Sequence, residues 1–255
     1  MKIGMGYAAF VRNTDFPLKA KESTTAIALS SAVEQVVREI QICDDNLLGI
    51  VAATSYGPLD TYLASAEKLF TRGIRGLRPQ KVVHSVICES SCQVGIQNQA
   101  KAFNMSFSGG LTSGFQAMKA AANALEEKMA DTILVIGGDD SDSETNAGAV
   151  LLGGQGSAFY LKAVNIRFAY DSALILDMKD ALIQELLKEA GISDIPYVIS
   201  GEATVGDQTF SRTYGGSNLF SALLTAQELL QKGKDDILVF EVEQSGAMGG
   251  IIIGK

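Results

Sequence analysis

His84 is the only histidine in the chain, and Cys88 and Cys92 follow it at four and eight residues. On a helix that spacing lines all three along one face. Imidazole and thiolate are zinc ligands, but a tetrahedral site needs a fourth donor and the sequence offers none nearby. The same spacing suits a buried helix, because free cysteine packs as a small apolar side chain. Packing is therefore expected here, and no metal.

Asp139, Asp140, Asp142 and Glu144 crowd one short stretch. Hard cations take carboxylate oxygens, yet the run lacks the central glycine and terminal glutamate of a calcium loop. It is read as a solvated loop after a strand. Gly215-Gly216 and Gly249-Gly250 match neither a dinucleotide fingerprint nor a phosphate loop, so tight turns are expected and no cofactor. No serine stands in a G-x-S-x-G elbow, and any Ser-His-Asp triad would have to use His84.

Hydrophobic periodicity gives the elements that would carry these residues. Strands are expected over 3–11, 47–53, 104–108, 132–136, 147–153, 158–163, 166–170, 197–200, 237–242 and 248–253. Helices are expected over 24–40, 59–70, 82–103, 111–129, 173–190 and 219–231. Ser23, Thr24 or Thr25 suits the cap of the first helix, and Gly191 the stop of the fifth. Buried strands alternating with helices imply an α/β fold with a parallel or mixed sheet, in two halves without a linker.

The bulk numbers agree. A chain of 255 residues, 47% hydrophobic and 20% charged, is long enough for a large core. With 26 glycines and 4 prolines it is built for tight turns and close packing, not for linkers. A formal charge of -8 without a basic cluster argues against a nucleic-acid partner and against an anionic membrane surface. Three cysteines (Cys43, Cys88, Cys92) and no apolar leader or membrane-length run fit a reducing cytoplasm.

Several landmarks then occur in the order found in β-ketoacyl synthases. Ser55-Tyr56-Gly57-Pro58-Leu59 resembles that family's turn after its early strand. Arg78-Pro79 and the helix bearing Gly95-Ile96 resemble the segment at its dimer face and acyl tunnel. The run 106–114, ending Thr112-Ser113-Gly114, is similar to the nucleophile turn T-x-x-x-A-C-S-S-G, with Leu111 in the place of the cysteine. Gly201-Glu202-Ala203-Thr204-Val205-Gly206-Asp207 resembles H-G-T-x-T-x-x-G-D, which puts Ser200 at the first histidine. Arg212-Thr213-Tyr214-Gly215-Gly216-Ser217 resembles K-S-x-x-G-H, with Arg212 for lysine and Ser217 at the second histidine. Ser245-Gly246-Ala247-Met248-Gly249-Gly250 resembles the closing S-F-G-F-G-G loop.

The resemblance implies a thiolase-like fold in one minimal domain, two similar α/β halves (about 1–163 and 164–255) stacked as α-β-α-β-α. It also implies that catalysis is lost. A leucine methyl cannot attack a thioester, and serine lacks the acid-base range of imidazole. Chain-length factors of polyketide systems share that logic and pair with an active ketosynthase. This chain departs from them in length, and in leucine where they often carry glutamine. The family's dimer strand falls on 104–108, which makes Met105 and Phe107 the interface candidates. Three readings follow: a non-catalytic subunit of a ketosynthase heterodimer, with an acyl carrier protein as a further partner; an acyltransferase or thioesterase with a relocated serine or cysteine; and a homodimeric acyl-binding scaffold.

Overall fold

The structure, a computed structural model, describes residues 2–13, 24–38, 47–83, 85–140, 145–153, 157–194, 197–200, 217–243 and 245–255. The first part of the chain gives β1 (Ile3–Met5), β2 (Ala9–Asn13), α1 (Thr24–Arg38), β3 (Leu48–Thr54), α2 (Leu59–Arg72), α3 (Pro79–Val83), α4 (Glu89–Gln97), β4 (Asn104–Ser108), α5 (Ser113–Glu126), β5 (Thr132–Asp140) and β6 (Thr145–Gly153). There follow β7 (Phe159–Phe168), α6 (Ile175–Ala190), β8 (Tyr197–Ser200), α7 (Asn218–Gln231), β9 (Asp236–Val242) and β10 (Ala247–Gly254). No helix among the described residues is long and apolar enough to cross a membrane.

The strands form one mixed sheet in the order β4-β3-β5-β6-β1-β7-β10-β9-β8, with β2 also on β6. One pattern occurs in it twice. β3, β5, β6 and β2 pair in parallel, antiparallel and antiparallel fashion, and β8, β9, β10 and β7 repeat that series. α1 and α6 precede β3 and β8, and α5 and α7 precede β5 and β9.

Strand alternation sorts the side chains into layers, because successive residues point to opposite faces. Leu134, Ile136, Ala149 and Leu151 face α1 on one outer side. Leu238, Phe240 and Ile252 face α6 on the other. The intervening residues Ile133, Val135, Val150, Ile237, Val239 and Ile251 all turn inward onto α5 and α7. The result is five layers, with the two central helices shared by both halves.

Glycine sets how closely those central helices approach. A Cβ on Gly148 of β6 would lie 2.2 Å from Cβ of Phe220 on α7, and one on Gly249 of β10 would lie 2.5 Å from Cγ of Phe115 on α5. Both phenylalanines are buried. Each half thus removes a side chain from its sheet to admit an aromatic ring carried by the other half.

Several expected boundaries change. The single strand expected over 3–11 is two. Gly6 to Ala8 leave the ladder, and buried Gln227 takes their backbone: its Oε1 accepts Ala8 N–H at 2.7 Å and its Nε2 donates to Gly6 C=O at 2.8 Å. The long helix expected over 82–103 is α3, a turn and α4, since the run Val82, Val83, Val86, Ile87 is rich in β-branched residues that favour helix poorly. α4 and α5 stop early because Gln99 (φ 53°) and Lys128 (φ 57°) adopt the left-handed conformation, with Ala100 N–H bonded to Gly95 C=O and Met129 N–H to Ala124 C=O. The two strands expected over 158–170 are one strand, β7, whose alternation shifts opposite an irregularity between Ile252 and Ile253. Gly249-Gly250 is not a turn but lies within β10.

Replacing Gln227 by leucine leaves a backbone donor and acceptor without their partner, at about 1–3 kcal/mol for each group that stays dry. We expect a loss of about 2–4 kcal/mol in urea unfolding. Gln231→Ala, which removes only an exposed bond to the Tyr7 hydroxyl, should change stability by less than about 0.5 kcal/mol.

Candidate functional site

The C-terminal ends of β3, β5 and β9 meet the N-terminal ends of α5 and α7, and the residues singled out by the family pattern gather there. Leu111 is half-buried in a short 3-10 turn, Gly110–Thr112, leading into α5. Gly110 holds φ at 66°, and a Cβ there would meet Oε2 of Glu243 at 2.8 Å, so the turn needs glycine on two counts. Thr112 N–H donates to Oε1 of Glu243 at 2.6 Å, and Ser245 Oγ donates to Oε2 at 3.1 Å. The start of α5 therefore already carries an anion, placed where the helix dipole favours one.

Ser217 caps the start of α7 and is completely buried. Its N–H donates to Oδ2 of Asp139 at 3.2 Å. Oδ1 of the same carboxylate accepts Ser55 N–H at 2.7 Å and the Thr54 hydroxyl at 3.1 Å. Ser55 Oγ donates in turn to Gly110 C=O at 3.3 Å, which joins the Ser217 and Leu111 turns in one network. Ser200 ends β8 in register with Phe240 of β9, at the same end of the sheet. The segments 201–207 and 212–216, which carry the rest of the histidine-like landmarks, lie outside the described residues.

Asp139 corrects the solvated-loop expectation. It belongs to β5, is buried and is a structural acceptor. Asp140 is the last residue of that strand, and Asp142 and Glu144 lie outside the described residues. The signal for Asp139 was available, since an acid directly after a Gly-Gly in an apolar strand, at even spacing from Ile133 and Val135, keeps their inward face.

Asp139 and Glu243 occupy matching places. Gly153 closes β6 opposite Thr132 and Gly254 closes β10 opposite Asp236. Counting from those pairs, Asp139 and Glu243 fall at the same ladder position. Each carboxylate caps the central helix of the other half, Asp139 on α7 and Glu243 at the turn before α5. Sequence reading missed Glu243 altogether.

His84 and Cys43 lie outside the described residues. Cys88 and Cys92 are exposed at the start of α4 instead of packed inside a long helix. Partial burial, and then Cys88 beside it, push the Cys92 thiol above its ordinary range. A thiol so shifted carries less thiolate near neutral pH, the reverse of what a catalytic cysteine needs. No group of three or more His, Cys, Asp and Glu residues able to hold a metal occurs among the described residues.

β4 is the sheet's terminal strand and pairs only with β3 among the described residues. Met105 is exposed at 43%, while Phe107 is half-buried against the inner core. Beside them on α4, Ile96 is exposed at 80%, and elsewhere, at the end of α2 and just after it, Phe70 and Ile74 are exposed as well. Exposed apolar side chains beside an open edge strand mark a surface suited to being covered.

Asp139→Ala strips three buried donors of their acceptor at once. We expect it to cost about 3–5 kcal/mol in denaturant unfolding. Glu243→Gln keeps the shape at a half-buried position and should cost about 1 kcal/mol. Equal losses at the two positions would contradict this ranking.

No protein-family model matches the chain, and no curated protein matches it in sequence. Solved structures do resemble it. The ishigamide ketosynthase/chain length factor superposes with a TM-score of 0.74 at 15% identity, over 94% of this chain and 85% of that one. A chain from the complex of a type II polyketide synthase acyl-carrier protein with its ketosynthase bound to the hexaketide gives 0.79 at 14% identity, over 99% of both. The 3-oxoacyl-[acyl-carrier-protein] synthase III of Aquifex aeolicus gives 0.64 at 16% identity, over 99% of this chain and 100% of that one. With five layers, a twice-used strand order and this likeness, the chain has the thiolase-like fold of the ketosynthases.

Proposed function

We propose that this chain is a single-domain, non-catalytic ketosynthase-like subunit. It pairs with an active β-ketoacyl-acyl carrier protein synthase in fatty acid or polyketide-type biosynthesis, and it shapes or stabilises that enzyme's acyl tunnel. The observation that carries the reading is the turn at Leu111. The residue in the nucleophile's place is leucine, and the next backbone N–H is already bonded to the Glu243 carboxylate. Acyl transfer develops negative charge on the thioester oxygen, and donors aimed at that charge are what lower its barrier. Here a resident anion occupies the nearest donor and opposes a second charge beside it.

The two serines support the same reading. Ser217 is buried with its N–H held by Asp139, and neither it nor Ser200 has a group that titrates near neutrality. The relocated-nucleophile alternative is weakened at Cys92, whose thiol is shifted upward. A self-contained acyl binder needs a cavity. Among the described residues, the cavity between α1, β3 and β5, lined by Leu29, Ala52, Gly138 and Ile87, measures about 20 Å³, room for about one water, and the larger hollow of about 600 Å³ along α4 and the segment before β4, lined by Ile96, Ala102 and Phe103, is open to solvent. A role in walling a partner's tunnel needs only a surface.

Pairing is supported by the edge of β4, unpaired among the described residues, and by exposed Met105 and Ile96 beside it, since an open edge strand is a liability unless another chain covers it. Both solved structures named above for polyketide systems contain a ketosynthase, one with a chain length factor and the other with an acyl-carrier protein. The partner chemistry proposed is therefore a ketosynthase, with an acyl carrier protein as its client, in the cytoplasm.

Co-expression with candidate ketosynthases, followed by size-exclusion chromatography with mass detection, tests this. A one-to-one complex is expected, and the chain alone should take up no acyl group from acyl thioesters. Met105→Asp puts a charge on the proposed interface while sparing the core, and should weaken the complex by about tenfold or more. A homodimer that ignores every ketosynthase would instead favour the scaffold reading, and acyl uptake abolished by one serine or cysteine substitution would favour the enzyme.

A further inference from the structure

Cys88 and Cys92 stand one helical turn apart at the start of α4. Four residues of helix separate two Cα atoms by about 6 Å, inside the range of about 4.4–6.8 Å that disulfides span. Side chains on a helix lean toward its N-terminus, so Cys92 reaches back over Cys88. Both residues are exposed.

Cys88 also stands at the boundary of α4. It is the N-cap residue, with φ at -85° and ψ at 0°, and the residues just before it form a turn and not a helix. Its C=O accepts Cys92 N–H and the Ser91 hydroxyl, each at 2.9 Å, so its carbonyl is held to the first turn. Closing a bond to Cys92 therefore needs a shift at this boundary and not an unwinding of the rest of α4.

That first turn is connected to the edge strand. Ser91 Oγ and Ser106 Oγ of β4 share a hydrogen bond of 2.9 Å, and Asn104 Nδ2 of β4 lies 4.0 Å from Cys92 Sγ as a weak donor. Gly95 brings α4 close enough that a Cβ there would stand 3.5 Å from Asn104 Nδ2. Cys92 thus touches β4 at Asn104, and its neighbour Ser91 touches it at Ser106.

We propose that Cys88 and Cys92 form a redox-active dithiol that peroxide closes to a disulfide, loosening β4 from α4. The Cys88 thiolate attacks one peroxide oxygen and expels hydroxide, which leaves as water, giving a sulfenic acid. The Cys92 sulfur then attacks the sulfenic sulfur; the S–S bond forms, the S–O bond breaks, and the hydroxyl leaves as water with the Cys92 proton. Two thiols are oxidised and one hydrogen peroxide is reduced to two waters. Because burial and Cys88 push the Cys92 thiol up, closure should quicken as pH is raised toward the thiol's range.

The test uses the whole chain carrying Cys43→Ser, treated with hydrogen peroxide. The expected product is a monomer lighter by two hydrogens, with Cys88 and Cys92 linked in non-reducing peptide maps, both protected from alkylation and both released by dithiothreitol. Amide exchange on β4 should quicken by about tenfold, the effect of losing one hydrogen bond. Cys88→Ser and Cys92→Ser should each abolish the mass loss and leave β4 exchange unaltered by peroxide. Two thiols that stay open to alkylation, or that link separate chains, would overturn the proposal, and so would a disulfide that leaves β4 exchange unchanged. Mixing the same samples with a ketosynthase extends the test and rests on the pairing proposed above. Failure to pair in either redox state counts against that pairing alone, because the disulfide and exchange readouts need no partner.

Discussion

Two carboxylates and two aromatic rings hold the halves of this molecule together, and each crosses from one half to the other. Asp139 caps α7 while Glu243 caps the turn before α5. Phe220 fills the space left by Gly148 while Phe115 fills that left by Gly249. The ladder between the halves is thin, since β1 alone joins β6 to β7 and meets β6 at a single pair, Met5 with Leu152. Cohesion must therefore come from the inner layer, where α5 and α7 are covered on both sides by inward-facing strand residues. Burial there is non-directional; the carboxylates add direction, because each fixes one helix end against a strand end of the opposite half. The same devices that stabilise the fold thus set the position of the Leu111 and Ser217 turns.

How much of this can be read from sequence depends on which residue ends each element. The ends of α6 and α7 follow from the sequence because Gly191 and Gly233 supply the left-handed conformation at no steric cost. The ends of α4 and α5 do not, because Gln99 and Lys128 adopt it instead, and nothing in their chemistry announces that choice. The break between β1 and β2 is equally silent. Its cause is Gln227, more than two hundred residues away, whose amide substitutes for the missing ladder. At the site, the landmarks around Leu111 and Ser217 were legible as a pattern of residue types. Asp139 was seen but set in solvent, and Glu243 was not seen, because its role rests on a register between β9 and β10 that only the folded sheet supplies.

The turn at Leu111 has a form that could serve an anion. A left-handed glycine, a 3-10 step and a helix start bring backbone N–H groups together, as suits stabilisation of a developing anion. In this chain that potential is spent within the fold. Glu243 takes the N–H at α5 and Asp139 the one at α7, so both helix starts are neutralised by the protein itself. Leucine at this turn and a carboxylate on the adjoining donor are the two features on which the proposed subunit role rests.

β4 is where the repeat fails. β3, β5, β6 and β2 have counterparts in β8, β9, β10 and β7, whereas β4 has none among the described residues and ends the sheet. Its two faces are unequally bound. Asn104 and Ser106 turn to α4 and meet Cys92 and Ser91 through polar contacts, while on the other face Phe107 follows Ala53 against the inner core and Met105, beside Val51, stays exposed. A strand held by one neighbour and a few polar contacts lies at the low end of local stability. A second strand added along its open edge would satisfy the free backbone groups and cover Met105 in one step. The same weak tethering lets a change at Cys92 reach the edge. The element least determined by internal symmetry is therefore the one best placed to answer to something outside the chain.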